Sequence, residues 1–214
     1  MAQSFSIDDM RAEIAQRGIL KTSRFRVDVG MPPALSGTTY KQTGTDLITQ
    51  AADGTLSMWC EQASLPGVEL EHYPLRRYGY GAIENRPFAP RFADSRLVFR
   101  SDGTGLIHTF LHSWMRVALN YDNQGSINSL NGAVPGQFTY ELSYKTDYVQ
   151  NVRITQFNDA GDVVLSVVLL EAYPVYVGSV PLNWGSVNEY SYVPVTLTYV
   201  GWYSDGEKPV AINQ

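Results

Sequence analysis

The chain has 214 residues, of which 44% are hydrophobic, 12% aromatic and only 17% charged, with a net charge of −5. This suffices for one fold with a proper core and leaves more apolar area than the sparse charges can offset, so burial between subunits is one use for it. The acidic balance argues against a duplex-binding surface, which needs Lys and Arg to displace counterions, although a wall past which nucleic acid slides would also lack a basic coat. The only cysteine, Cys60, excludes an intrachain disulfide and a cysteine-built zinc site and favours a reducing compartment.

Residues 1–8 lack a basic stretch followed by an apolar run, and nowhere do about 20 apolar residues follow one another. The expectation is a chain that is neither Sec-exported nor membrane-spanning. Residues 6–17 read as a short helix: Ser6 is the N-cap, Asp9 the third position, Phe5 is placed to staple onto Met10, and Gly18 ends it. Its apolar stripe of Ile7, Met10 and Ile14 is narrow, which suits docking on a surface better than a place in a core. Residues 24–29 alternate, with Phe25, Val27 and Val29 on one face, the period of a half-buried strand. From 30 to 54 the pattern gives way to Pro, Gly, Thr and Ser, a loop excursion long enough to suggest contacts.

Alternation resumes at 56–61, with Leu56, Met58 and Cys60 opposite Ser57, Trp59 and Glu61, and predicts a second strand before the turn at Leu65-Pro66-Gly67. A short strand follows at 96–100, stopped by Asp102-Gly103-Thr104-Gly105. The strongest internal helix is 106–119, where Ile107, Phe110, Leu111, Trp114 and Ala118 share a face broad enough to lie across a sheet. Beyond Gln137 the chain is nearly all β. Residues 149–157 and 162–172 form a hairpin about Asn158-Asp159-Ala160-Gly161. The second arm is apolar on both sides, Val163, Leu165, Val167 and Leu169 on one and Val164, Val168 and Leu170 on the other. Such a strand is central beneath a helix or is closed over by a neighbouring subunit. Residues 190–203 complete the set, with Pro194 expected at a strand start or an edge.

Few residues suggest chemistry. His108 and His112 have the one-turn spacing of a metal pair, but the Glu of a zincin motif is missing and Arg116 continues the stripe. They read as a polar stripe away from the core. Gly79-Tyr80-Gly81 lacks the strand and helix of a dinucleotide fingerprint and reads as a loop. Asp102-Gly103-Thr104-Gly105 reads as a turn, and Cys60 has no helix N-terminus beside it to activate the thiol. The unusual cluster is Arg76, Arg77, Arg86, Arg91, Arg96 and Arg100 among Tyr78, Tyr80, Phe88 and Phe92. Such residues can stack on bases, but in an acidic self-packing protein they pair more readily with carboxylates across an interface. A soluble β-sandwich with Tyr78, Tyr80 and Tyr121 as a ligand platform is the reading from another class.

Several stretches occur in a telling order. Residues 24–29 follow the N-terminal helix, then come Ser64-Leu65-Pro66-Gly67 and Tyr78-Gly79. Residues 153–161 and 171–178, Leu182-Asn183-Trp184, Asn188-Glu189-Tyr190 and the closing Trp202-Tyr203 come after. This succession, over about 5–29 and 56–203, resembles the tail-tube family of T-even-like contractile phages. The resemblance implies a single mainly β domain over 1–214: two packed antiparallel sheets or a flattened β-barrel, with one flanking α-helix and the short N-terminal helix. It implies a structural, non-enzymatic subunit, without catalytic residue, metal or cofactor. Six copies form a ring, neighbouring strands join into an inner barrel, and rings stack into a tube. Its partners are other copies of itself, the tail sheath protein, baseplate or tube-initiator proteins, and the tape measure protein and DNA in the lumen. Its place is the virion tail, assembled in the host cytoplasm. The residues expected at subunit interfaces are Ile7, Met10, Ile14, Arg76, Arg77, Val164, Val168 and Leu170. The stretches 30–54 and 120–136 look longer than a repeating subunit needs, which leaves a tube initiator at the baseplate, or a tube subunit of a phage-tail-like injection particle, as alternatives.

Overall fold

The computed structural model describes residues 6–36, 56–76, 79–121, 140–185 and 189–205. The N-terminal helix α1 spans Ile7–Arg17; the Ser6 side chain accepts a hydrogen bond from the Asp8 N–H, and Gly18, at φ 73°, closes it with an N–H to the Ile14 carbonyl. A left-handed residue at this place favours glycine, which has no Cβ to clash. Strand β1 (Phe25–Val29) buries Val27 and Val29 as its alternation predicts, and a short helix α2 (Pro33–Ser36) follows. The rest of the 30–54 excursion, residues 37–54, lies outside the described residues, as do Phe5 and nearly all of 120–136.

The strand expected at 56–61 is not formed as such. Leu56–Trp59 is a single helical turn, α3, and only then does strand β2 (Cys60–Ala63) begin. Leu56 and Ser57 are buried together while Met58 is 89% exposed, so Leu56 and Met58 do not share a face. Six residues fit either period, and the contact of α3 with β1 selects the helical one. Strands β3 (Val68–Leu75) and β4 (Glu84–Phe92), joined across bends at Gly79 to Gly81, form a separate two-stranded ribbon. Strand β5 (Ser95–Arg100) and helix α4 (Leu106–Ala118) occupy their predicted places. Val117 replaces the expected Ala118 on the buried face, with Ala118 only half-buried.

A small ladder of β6 (Leu119–Asn120) with β7 (Glu141–Leu142) precedes the one-turn helix α5 (Lys145–Tyr148). Strands β8 (Gln150–Phe157) and β9 (Val163–Val177) are the predicted hairpin. Its turn holds Gly161 at φ 92°, and the Asp162 N–H donates to the Asn158 side chain at 2.8 Å. The closing segment is two strands, β10 (Tyr192–Thr198) and β11 (Gly201–Ser204), with a break at Tyr199 and Val200. Pro194 lies within β10 and faces Val98 of β5, while the ladder to β9 begins only at Val195; it is edge-like on the side where an N–H would be needed.

Among the described residues all sheet pairings are antiparallel, in the order β1-β8-β9-β10-β5-β2 with β11 beside β9, and the sheet is not closed into a barrel. The long strand β9 bends it into two leaves. Its first part pairs with β8 and β11 and its last part with β10. At the corner Glu171 has φ 51°, a left-handed conformation that costs a non-glycine residue about 1–2 kcal/mol. Its N–H donates to the Asn151 side chain at 3.2 Å and its carboxylate pairs with Lys145. The core lies between the leaves and α4: Val27, Val152, Ile154 and Leu169 on one side, Leu97, Phe99, Val195 and Leu197 on the other, Ile107, Phe110 and Trp114 from the helix. Each large side chain so buried contributes about 1.5–3 kcal/mol relative to exposure. The indole N–H of Trp114 donates to the Tyr148 carbonyl at 2.6 Å, so its burial leaves no donor unpaired.

Candidate assembly surface

The ionisable groups singled out in the sequence serve structure. The Cys60 thiol is pushed up to about 12, chiefly by burial, and donates to the Gln62 carbonyl; it is a protonated thiol and not a nucleophile. Burial alone would raise the Asp102 carboxyl, but hydrogen bonds from Thr104 and the Ile107 N–H outweigh it and hold the group below the usual range. Asp102 thus caps the first turn of α4, where the bare Gly105 gives no side-chain cap. The His108 and His112 rings lie 4.2 Å apart on the outer side of α4. Burial, His108 and Arg116 together lower the His112 pKa, so His112 resists a proton, and the Arg116 guanidinium one turn on disfavours a bound cation. Among the described residues no three His, Cys, Asp or Glu converge on a metal-sized site.

The arginine cluster is dispersed. Arg86 pairs with Glu84 at 3.5 Å on the ribbon; Arg100 pairs with Glu61 at 3.2 Å and lies 5.0 Å over the Tyr190 ring. Arg76 is exposed at the tip side of β3, and Arg77 lies outside the described residues. A hollow of about 440 Å³ on the outer face of the β10/β5/β2 leaf is lined by Arg96, Val98, Tyr176, Pro194 and Thr196, without converging acids or bases.

What remains unusual is the apolar surface that the described residues leave uncovered. On α1, Ile7 is 64% exposed, Met10 54% and Ile14 38%. On the ribbon, Val68, Leu70, Tyr73, Ile83 and Phe88 are all exposed. A two-stranded ribbon with no third strand is at best marginally stable in water. Its root is anchored: Phe92 packs on the Tyr199 ring, whose hydroxyl donates to the Ala93 carbonyl, and Ser64 bridges to Arg96. Between β9 and β10, Leu182 and Trp184 stand fully out in solvent.

The doubly apolar strand divides along its length. Val163 and Val164 are exposed, Leu170 is half-buried, and Val168 is only 4% exposed within the single chain, where it lies in register between Arg153 and Tyr203. The first of the two alternatives anticipated for such a strand is met, because β9 is central in the sheet and packs against α4. The structure therefore brings Ile7, Met10 and Ile14 together on one exposed stripe and leaves Val164 open, but it buries Val168 without any neighbour. The ribbon, the largest uncovered feature, was not legible as strands in the sequence.

A bent β-sheet with a shielded core, uncovered apolar appendages and ionisable groups committed to structure defines a class: subunits that complete themselves by assembly. The family model described as phage tail tube protein matches residues 20–205. The chain belongs to that family, and its role is structural and tube-like, not enzymatic. A search of curated protein sequences found no match. The fold is similar to a chain of the sheath–tube complex of an extracellular contractile injection system in its extended state, at 16% identity and TM-score 0.51, covering 94% of this chain and 99% of that one. It is also similar to the tube-terminating cap of the anti-feeding prophage, at 16% identity and TM-score 0.53, covering 88% and 92% respectively.

Proposed function

We propose that the chain is the inner-tube subunit of a contractile phage tail, forming hexameric rings that stack into a conduit for DNA. The observation that carries this reading is the contrast between a closed core and appendages that the other described residues leave uncovered. Copies around a sixfold axis cover such surface and turn exposed strand edges, a liability in a monomer, into contacts. In this reading Ile7, Met10 and Ile14 dock on an adjacent ring. Arg76, Arg77, Val164 and Leu170 meet neighbouring copies, and Val168 holds the sheet surface beneath them. The sheath encloses the tube, baseplate or initiator proteins hold one end, and the tape measure protein and then DNA occupy the lumen. The particle is the virion tail, put together in the host cytoplasm.

The fold likeness to injection-system chains supports a second reading, a tube subunit of a phage-tail-like injection particle. Negative-stain microscopy of the purified protein tests both readings against a binding module that would display Tyr80 and Tyr121. Long hollow filaments are the expected result, and isolated hexagonal rings would point to the tube initiator. Solitary particles at every concentration would overturn a tube role.

A further inference from the structure

Helix α1 has no buried face. From Ile7 to Gln16 every residue is exposed, and so is the whole linker from Gly18 to Arg24 that joins the helix to β1. Apolar packing of the kind that seats α4 therefore does not set the direction of α1 among the described residues. That direction depends on the linker, which turns at Gly18, with φ 73°, and from Lys21 onward is tied to one place, the turn between β8 and β9.

The Asp159 carboxylate pairs with Lys21 Nζ at 2.9 Å through one oxygen and with Arg24 Nε at 3.3 Å through the other. Arg24 Nη1 donates to the Asp159 carbonyl at 2.8 Å and to the Asn158 carbonyl at 3.4 Å, and the Gln156 side-chain amide donates to the Lys21 carbonyl at 3.2 Å. The turn does not use the Asp159 side chain for its own shape. Asn158 closes it, because its side chain bonds both the N–H and the carboxylate of Asp162 and its carbonyl accepts from the Gly161 N–H. The bond from Lys21 is also the main reason that the Asp159 carboxyl is held below the ordinary carboxylate range, so the cluster is fully charged at neutral pH.

We infer that Asp159 is a clasp that fixes the direction of α1, a positioning residue that governs assembly without itself having to touch another copy. This inference rests on the tube reading above, in which α1 meets an adjacent ring. Exposed ion pairs add little to the stability of a fold, and salt screens them. Such a clasp opens without unfolding the sheet behind it, which makes ionic strength the control. Low salt holds α1 in its docking direction, and high salt frees it.

The test is Asp159→Ala in the full chain, read first in the unassembled protein. The variant should keep the circular dichroism and melting temperature of the wild type, while trypsin cleaves after Lys21 at least about threefold faster at low salt. The difference should vanish in about 0.5 M salt. The assembled fraction should fall in the variant at low salt, and in the wild type over the same rise in salt. Equal cleavage of the two proteins at low salt overturns the clasp. Faster cleavage with normal assembly overturns its control of assembly while leaving the tube reading intact, and a wild type that stays monomeric at every salt concentration overturns both. Should Asp159→Ala fail to fold, the wild type decides. Its cleavage after Lys21, measured against a free peptide of the same linker, rises with salt if the clasp exists, and a constant ratio overturns it.

Discussion

His112 shows how a residue that looks chemical in sequence can be a stability element in the fold. Its pKa is held below the ordinary 6.5 by burial, by the neighbouring His108 ring and by Arg116. As pH falls below about 6.5 the unfolded chain takes up a proton that the folded chain resists, so stability is lost from there down to the lowered folded value. Calorimetric melting between pH 7 and 5 should show Tm falling with pH, and His112→Gln should make that fall shallower; equal slopes would show that the histidine does not contribute. In the sequence, the missing Glu and the Arg116 that continues the stripe of His108 and His112 already argue against a cation site. The cap made by Asp102 was legible only as a turn, because its bond to the Ile107 N–H depends on how the chain enters α4. Glu171 at a left-handed corner gave no signal at all: the partners that hold it, Asn151 and Lys145, come from other elements.

Among the elements, those with a repeated period and marked ends were readable from sequence alone. Helices α1 and α4 and the β8–β9 hairpin stand where the stripe, the caps and the Asn158 to Gly161 turn place them. The α3–β2 junction was misread because four helical residues satisfy an alternating pattern as well as a helical one. The β3–β4 ribbon was missed for a different reason. With both faces exposed and three prolines in its strands, it carries no alternation between buried and wet positions. Helix α1 has the same exposure, and its effect is separable from folding. Replacing Ile7, Met10 and Ile14 together by Ser should leave the monomer's stability within about 0.5 kcal/mol per site of the wild type, since exposed positions contribute little. Sedimentation velocity of the same variant should show the large species lost; if they persist, α1 is not a contact between rings.

At the scale of the molecule, β9 bends one open sheet into two leaves, α4 fills the space between them, and the excess apolar area is carried outward on α1 and the ribbon. The mainly β class and the family were readable from the order of short motifs. The openness of the sheet and the place of the uncovered surface were not, since both depend on which strands stay unpaired among the described residues. The central claim is that copies of the same chain supply those partners. Light scattering across a concentration series tests it most directly. The account predicts roughly 143 kDa, six times the 23.8 kDa chain, or stacked multiples of it, whereas a mass that stays at 23.8 kDa throughout would contradict it.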